Sequence, residues 1–348
     1  MWRIALRDLQ WRHRRFLIAL VATGLVFAVT LLTTGALRGI QNEAGHILGA
    51  IDAEGWLVAE GTSGPFTTAR VIPAARADEV ARIPGVRRAD PIVILHTTVL
   101  GREVQDINLI GYRIGGIGEP TVERGRLPRT DGEGVVDVNL GVDIGGTIDL
   151  SGHKVTVVGV ADNVSFYYGL PTVLTPIGDT QALAFFGQPL AMAIVTRGTP
   201  ANAPPGLDVV PPVKVKEDLE RPLANGNKTI QFVSFLLWIV ATGIIGSIVY
   251  LSALERTRDF AVLKAVGASS RSLFVGLALQ AVALSVGAAV LAMGLARLLS
   301  PGFDFAVDFA AIASLQLVAI ALVVGLLASL IGLRRAVATD PALAFSGN

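Results

Sequence analysis

The sequence contains no cysteine and few charged residues. The lack of cysteine excludes disulfides, thiolate catalysis and cysteine-ligated metals. Asp, Glu, Lys and Arg make up 16% of the 348 residues and hydrophobic residues make up 52%, whereas about a quarter of the residues in a soluble domain are charged. The formal net charge is +1, so no basic field favours a nucleic-acid partner. These deficits indicate a membrane protein.

Catalytic and metal-binding motifs are also missing. The sequence has four histidines, and none is paired at the spacing that holds a metal. "GTSG" at residues 61–64 is one residue short of a nucleophile elbow. Asp137, Asp143 and Asp149 recur every six residues, but no Asp-x-Asp loop closes with a glutamate, so we expect them to cap turns. The sequence therefore predicts no enzymatic activity, metal or cofactor in this chain.

Four apolar stretches are long enough to cross a hydrocarbon core, which takes about 20 helical residues. They are residues 16–37, 230–254, 273–299 and 309–333, and the segments between and beside them are 1–15, 38–229, 255–272, 300–308 and 334–348. No Asp, Glu, Lys or His lies in the interior of a span, and ion-coupled carriers need such intramembrane groups. We therefore expect that an ion gradient does not drive this protein.

Lys and Arg cluster beside the spans on one side of the predicted membrane. They are Arg3, Arg7, Arg12, Arg14 and Arg15 before the first span, Arg256, Arg258, Lys264 and Arg271 between the second and third, and Arg334 and Arg335 after the fourth. Segment 300–308 has none. The positive-inside rule then places both termini and segment 255–272 in the cytoplasm and segment 38–229 outside. Residues 1–15 form either an amphipathic helix at the membrane surface or only this charge signal.

Segment 38–229 has the pattern of a folded domain. Strand-like runs such as "GWLVAEG", "ADPIVILHTTVLG" and "LAMAIVTRG" alternate with Gly, Pro and Asp turns. "TIDL-SGH-KVTVV" predicts a hairpin with Ser-Gly at its turn, and "RADEVARIPGV" predicts a short helix that a Pro-Gly pair ends. The predicted fold class is therefore an α-helical membrane protein with four transmembrane helices and a mixed α/β extracytoplasmic domain between the first and the second.

Three consecutive aromatic residues follow a strand of this domain. They are Phe166, Tyr167 and Tyr168 in "SFYYG". The rings either contact a hydrophobic substrate or a partner, or they cover the domain's own sheet. We keep these three residues as candidates for substrate or partner contact.

The cytoplasmic segment 255–272 carries an unexpected apolar stripe. Phe260, Leu263 and Gly267 follow the spacing i, i+3, i+7, and Val262 and Val266 widen the stripe. The pattern predicts a short helix across the ends of the second and third spans. A helix of fewer than three turns is marginal alone in water, so it should pack against something. A solvated loop would account for the charges but not for the stripe.

"LERTRDFAVLKAVGASSRSLF", residues 254–274, resembles the signature of MacB/FtsX-type permeases, the type VII group of ABC transporters. One span, a large outer domain and then three spans is also the order of that family. In length and layout the chain is most similar to the small DevC/HrtB-like permeases. The resemblance covers essentially the whole chain, although only this segment is highly specific, and the loops of the outer domain match no subgroup.

The resemblance implies that segment 255–272 is a coupling helix that inserts into a cytoplasmic ATPase. The residues that would make this contact are Glu255, Arg256, Arg258, Phe260, Leu263, Lys264 and Gly267. The chain has no Gly-x-x-x-x-Gly-Lys-Ser/Thr loop, so ATP and Mg²⁺ would be bound by the partner. The family works as a dimer of permeases with two ATPases. A homodimer is therefore expected, and an extracytoplasmic adaptor is left open.

These inferences lead to an expected function in a bacterial cytoplasmic membrane. The chain is predicted to be a permease subunit that uses ATP hydrolysis by its partner for mechanotransmission, exporting or extracting a hydrophobic or amphipathic substrate. The alternative is an FtsX-like signalling subunit that regulates an extracytoplasmic partner such as a cell-wall hydrolase. A third hypothesis is a membrane anchor or sensor that works without an ATPase.

Overall fold

The computed structural model describes residues 13–68, 70–100, 104–255, 262, 269–302 and 315–327. The chain forms two compact units. Residues 1–38 and 226–348 form the first, here called the helical unit, and residues 39–225 form the second, here called the inserted domain. The helices are α1 (His13–Ile51), α2 (Arg76–Val80), α3 (Ile177–Phe185), α4 (Pro212–Glu220), α5 (Ala224–Glu255), α6 (Ser270–Leu299) and α7 (Leu315–Leu327).

Three helices of the described residues are long and apolar enough to cross a membrane. These candidate spans are Phe16–Ile51, Pro212–Ile248 and Ala278–Leu299, and they contain most of the first three spans predicted from hydropathy. The predicted fourth span, 309–333, is described only over α7, which is apolar but shorter. Three spans are therefore found in the part of the chain that the structure describes, and the fourth stays a prediction.

Small side chains form most of the buried core of the helical unit. The fully buried alanines include Ala241 in α5 and Ala288 and Ala292 in α6. Gly325 of α7 lies against α6 so closely that a Cβ would be 3.0 Å from Cα of Val282. Close approach of helices through small residues is typical of membrane proteins, because lipid supplies no hydrophobic drive and packing must hold the helices together.

The inserted domain is built on a ten-stranded mixed sheet. The twelve strands of the domain, ten of them in this sheet, are β1 (Gly55–Ala59), β2 (Ile72–Pro73), β3 (Arg88–Leu100), β4 (Val104–Tyr112), β5 (Arg124–Gly125), β6 (Glu133–Asp137), β7 (Thr147–Leu150), β8 (His153–Ala161), β9 (Thr172–Pro176), β10 (Leu190–Ala191), β11 (Ala193–Arg197) and β12 (Leu207–Val210). The order in the sheet is β12-β1-β11-β3-β4-β9-β6-β8-β5, with β7 paired to β3 and β8. Strands β2 and β10 form a separate pair.

Most pairings in the sheet are antiparallel, whereas β4–β9 and β6–β8 are parallel. Both faces of the central strands are buried, since nearly every residue of β6 and all of β9 are buried, including the polar Asp137, Thr172 and Thr175. Trp56, Ile92 and Ile110 lie in the core of one face, together with Ile47 and Ile51 from the end of α1. The domain is therefore a mixed α/β fold, as expected from the sequence.

The predicted hairpin and the predicted short helix are both confirmed. In the hairpin, β7 and β8 are joined by Ser151 and Gly152, which have φ values of 52° and 94°, and Leu150 pairs with His153. Two consecutive left-handed residues are the geometry of a type I′ turn, which suits the twist of a two-residue hairpin. The short helix is α2, which begins at Arg76 and ends at Val80, four positions before the Pro84-Gly85 pair that was expected to end it.

Candidate functional site

The predicted ATPase-coupling residues lie almost entirely beyond the described chain. Glu255 is the last residue of α5, and α6 begins at Ser270. The others, Arg256, Arg258, Phe260, Leu263, Lys264 and Gly267, are outside the described residues. Their part in a coupling helix therefore stays a prediction.

The three candidate aromatic residues of the inserted domain differ in exposure. Phe166 is fully buried, and its ring meets that of Phe66 edge to face at 5.9 Å. The ring of Tyr167 lies 4.9 Å from that of His96. The side chain of Tyr168 is 42% exposed. The geometry thus gives Phe166 a place in the core and leaves only Tyr168 with a largely accessible ring.

The backbone of this aromatic segment is held in an uncommon conformation. Tyr167 and Tyr168 both have positive φ, 60° and 64°, which costs energy for residues with a Cβ and is kept only when the surroundings enforce it. Asn108 does so in part, because its side-chain amide donates to the carbonyl oxygens of both Phe166 and Leu170 at 3.0 Å. Asn108 lies in β4, whereas Phe166 and Leu170 lie between β8 and β9, and no local sequence pattern relates these positions.

Burial shifts the pKa values of two side chains at the aromatic segment, Tyr167 and His96. It raises the pKa of the Tyr167 phenol to about 12, with the charge of Asp218 adding to the effect. It lowers the pKa of His96, while the hydrogen bond with Asn108 acts in the opposite direction. Both rings are therefore uncharged at neutral pH, and the segment can offer an aromatic contact but no ionic one.

Of the aspartates that recur at six-residue spacing, Asp137 and Asp149 cap turns with their side chains as predicted, whereas Asp143 takes part in a turn only through its backbone carbonyl. Asp137 caps the turn Val138–Leu140 by accepting from the amide of Asn139 at 2.8 Å. Asp149 accepts from the amide of Gly152 at 2.6 Å, and the carbonyl of Asp143 accepts from Gly146. Within the described ranges, no group of three His, Asp or Glu residues could hold a metal ion.

One buried acidic residue of this domain accepts several hydrogen bonds that the sequence did not predict. Asp218 of α4 is fully buried and accepts from the amides of Phe66 and Thr67 and from the hydroxyl of Ser63. Ser63 belongs to "GTSG". Its hydroxyl donates to the structural carboxylate of Asp218, and no described histidine forms a hydrogen bond with it. Arg221 also donates to this hydroxyl at 2.6 Å. No signal in the sequence links position 218 to positions 63–67.

The helical unit contains a cavity of about 170 Å³ between α1, α5 and α7. Its lining residues are Thr30, Leu31, Thr34 and Arg38 of α1, Trp238 of α5, and Gln316, Leu317 and Ile320 of α7. The guanidinium Nη2 of Arg38 donates to Oε1 of Gln316 at 2.6 Å. The indole ring of Trp238 is held by Phe27, with 5.3 Å between ring centroids. Polar and apolar groups therefore share this cavity.

Comparison with known proteins connects this architecture to transport. Residues 231–341 match the family described as FtsX-like permease C-terminal. An uncharacterized ABC transporter permease of Mycobacterium tuberculosis is 42% identical over 344 residues, which are 99% of each chain. A second permease of the same organism and the same description is 39% identical over 344 residues, again 99% of each chain.

Solved structures of two outer domains are also similar, at low scores. The periplasmic region of MacB from Actinobacillus actinomycetemcomitans matches with a TM-score of 0.37 and 12% identity, over 50% of this chain and 95% of that one. The extracellular domain of YknZ from Gram-positive bacteria matches with a TM-score of 0.33 and 16% identity, over 42% of this chain and 83% of that one.

The full-length similarity to the two mycobacterial proteins determines the family. The chain belongs to the ABC transporter permeases of the MacB/FtsX type. Permeases of this class are membrane proteins that work with an ATPase.

Proposed function

We propose that this permease turns ATP hydrolysis by a separate ATPase into movement of its inserted domain, and thereby exports or extracts a hydrophobic or amphipathic substrate. The observation that carries the proposal is that both chain connections between the two units lie inside helices. Arg38 and Gly39 are both in α1, and Asn225 and Gly226 are both in α5. Helices are the kind of element through which a displacement is passed along a chain.

The composition of the spans supports an apolar or amphipathic substrate. Their interiors carry no Asp, Glu, Lys or His, so they offer no fixed charges that would coordinate a small polar solute along a channel. A substrate that partitions into the membrane needs no such channel. We therefore propose that the substrate enters from the outer leaflet or the extracytoplasmic side.

The partner that supplies the energy is proposed to bind segment 255–272. Phe260 and Leu263 would be buried anchors, and Glu255, Arg256, Arg258 and Lys264 would set register and partner choice. ATP and Mg²⁺ would be bound by the partner. Two permeases with two ATPases would give each ATPase one such segment.

The coupling proposal is tested by capture of the ATPase on the tagged full-length chain. Phe260→Asp and Leu263→Asp should each abolish co-purification, because a charge would replace a buried apolar anchor. Phe186→Asp is the matched control, since Phe186 lies in the inserted domain and is 94% exposed. Normal expression and size-exclusion behaviour of the variants shows that they fold. Undiminished capture by both would refute the coupling role.

Transport is separated from signalling by what a deletion strain accumulates. Loss of the permease should change the lipid or lipid-linked metabolites of the cell envelope, and Phe260→Asp should reproduce the change. An unchanged envelope profile, together with co-purification of an extracytoplasmic hydrolase through the inserted domain, would instead assign the chain to FtsX-like signalling.

A further inference from the structure

We propose that the cavity between α1, α5 and α7 binds an anionic phospholipid, with the lipid phosphate at Arg38 and the upper part of one acyl chain against Leu31 and Leu317. The site is independent of the transport proposal, because it requires only that the helical unit lies in a membrane.

The guanidinium of Arg38 has unused binding capacity. Nη2 donates to the neutral side-chain amide of Gln316, while Nη1 is buried without a hydrogen-bond partner among the described residues. No carboxylate of the described residues forms an ion pair with Arg38. A buried cationic donor that no described carboxylate pairs with is costly, and a lipid phosphate matches the bidentate fork of a guanidinium.

The rest of the cavity suits the apolar part of the same molecule. Leu317 is buried, whereas Gln316 and Ile320 lie at the surface of the helical unit. The cavity therefore opens at the surface of the helical unit. Its 170 Å³ is well below the roughly 300–1,000 Å³ of a site that encloses a drug-sized ligand. It accommodates a headgroup phosphate and an adjoining chain segment, with the remaining lipid outside.

The depth of the cavity matches one leaflet. Thr30 and Arg38 are eight positions apart on one helix, which is about 12 Å along its axis. Half of a hydrocarbon core is about 15 Å. Arg38 directly follows the predicted span 16–37 on the side of the inserted domain, so the positive-inside orientation places the phosphate at the outer headgroup level.

Fluorescence of Trp238 in vesicles tests the proposal on the full-length chain. The chain is reconstituted in phosphatidylcholine with increasing fractions of brominated phosphatidylglycerol, whose bromines quench tryptophans that they touch. The sequence has four tryptophans, so the Trp238→Phe variant gives the signal to subtract. Quenching of Trp238 should saturate at a low fraction of the brominated anionic lipid, and brominated phosphatidylcholine should not reproduce this saturation.

Two arginine variants locate the phosphate. Arg38→Gln should shift half-saturation to an about tenfold higher lipid fraction, the loss expected for a charge-assisted hydrogen bond, and Arg38→Lys should fall between it and the wild type because it keeps the charge without the fork. Arg297→Gln is the matched control, since Arg297 lies in the last turn of α6 and does not line the cavity. It should behave as the wild type.

Three results would overturn the proposal. One is identical saturation in Arg38→Gln, Arg38→Lys and the wild type. Another is equal quenching by brominated phosphatidylcholine, which would show an unselective lipid contact. The third is displacement of the lipid by soluble glycerol phosphate at equal concentration, which would show that the site takes a free phosphate and not a lipid.

Discussion

The carboxylate of Asp218 accepts a hydrogen bond from the backbone amide of Phe66 at 2.9 Å, although the two residues are 152 positions apart. The same carboxylate also accepts from Ser63 and Thr67. A single buried side chain of α4 thus holds the loop that follows β1. This network is structural, and its contribution to the free energy of unfolding can be measured by replacing Asp218.

Asp218→Ala should destabilise the inserted domain by about 3 kcal/mol, because it leaves several buried donors without an acceptor. Asp106→Ala is the matched control, since Asp106 is an exposed residue of β4, and surface changes of this kind stay within about 0.5 kcal/mol. Chemical unfolding of the full-length chain measures both, followed by Trp56 fluorescence in a background whose other three tryptophans are replaced by phenylalanine. Equal stability of the two variants would show that the network contributes nothing.

Asn108→Leu should loosen the aromatic segment. The change removes both hydrogen bonds to the carbonyls of Phe166 and Leu170 while keeping a similar volume, at a cost of about 2 kcal/mol. We expect chymotrypsin to cleave after Tyr168 several-fold faster in this variant. Asn202→Leu, an exposed change, should leave the cleavage rate as it is. Cleavage at the same rate in all three proteins would show that Asn108 does not hold the loop.

The ion pair between Glu133 and Arg126 should make the stability of the inserted domain depend on pH in the acid range. Hydrogen bonding with Arg126, at 2.7 Å for one of the two contacts, lowers the pKa of Glu133 from 4.5 to about 2. Because the folded pKa is below the unfolded one, the stabilisation is present above pH 4.5 and is lost as the pH falls toward 2. Arg126→Gln should therefore lower the unfolding temperature at pH 6 more than at pH 3.

The control for this pH effect is Arg129→Gln. Arg129 binds Glu133 through its backbone amide at 2.8 Å, which the substitution preserves. Its unfolding temperature should follow the wild type at both pH values. A constant difference between Arg126→Gln and the wild type from pH 6 to pH 3 would contradict the assignment.

Gly325→Leu should disrupt the packing of α7 on α6. A Cβ at this position would lie 3.0 Å from the backbone Cα of Val282 and 2.8 Å from Oγ of Ser285, and overpacking of this kind costs about 1–3 kcal/mol. Gly243→Leu is the control, because nothing described lies within 4 Å of its Cβ position. Thermal stability in detergent should fall for the first variant only, and a fall of equal size in both would refute the close contact.

Local sequence patterns predicted the elements of the inserted domain whose strand, helix or turn signal lies within the element itself. The β7–β8 hairpin combines alternating strands with a Ser-Gly turn, and both features lie within a few residues. Strands β2, β5, β6, β9 and β12 were not predicted. Strand β9 exists because Thr172 to Pro176 pair with the distant β4, and no local pattern contains that information.

The candidate sites could likewise be predicted only in part from local sequence. The aromatic residues were visible as a cluster, but the burial of Phe166 and the exposure of Tyr168 depend on packing against Phe66 and His96. From the sequence, Arg38 was recognisable only as the residue that follows the first predicted span. Its partner Gln316 lies 278 positions away, so the cavity could not be predicted.

The membrane character of the chain, its apolar spans and its predicted orientation follow from composition and order along the sequence. Transfer of a helix into lipid is a sum over about 20 neighbouring residues, and the sidedness of Lys and Arg is equally local. Only the tertiary structure brought Asp218 to Phe66 and Arg38 to Gln316. Such contacts depend on how distant segments pack in three dimensions, and the free energy of each pair exists only once the surrounding fold has formed.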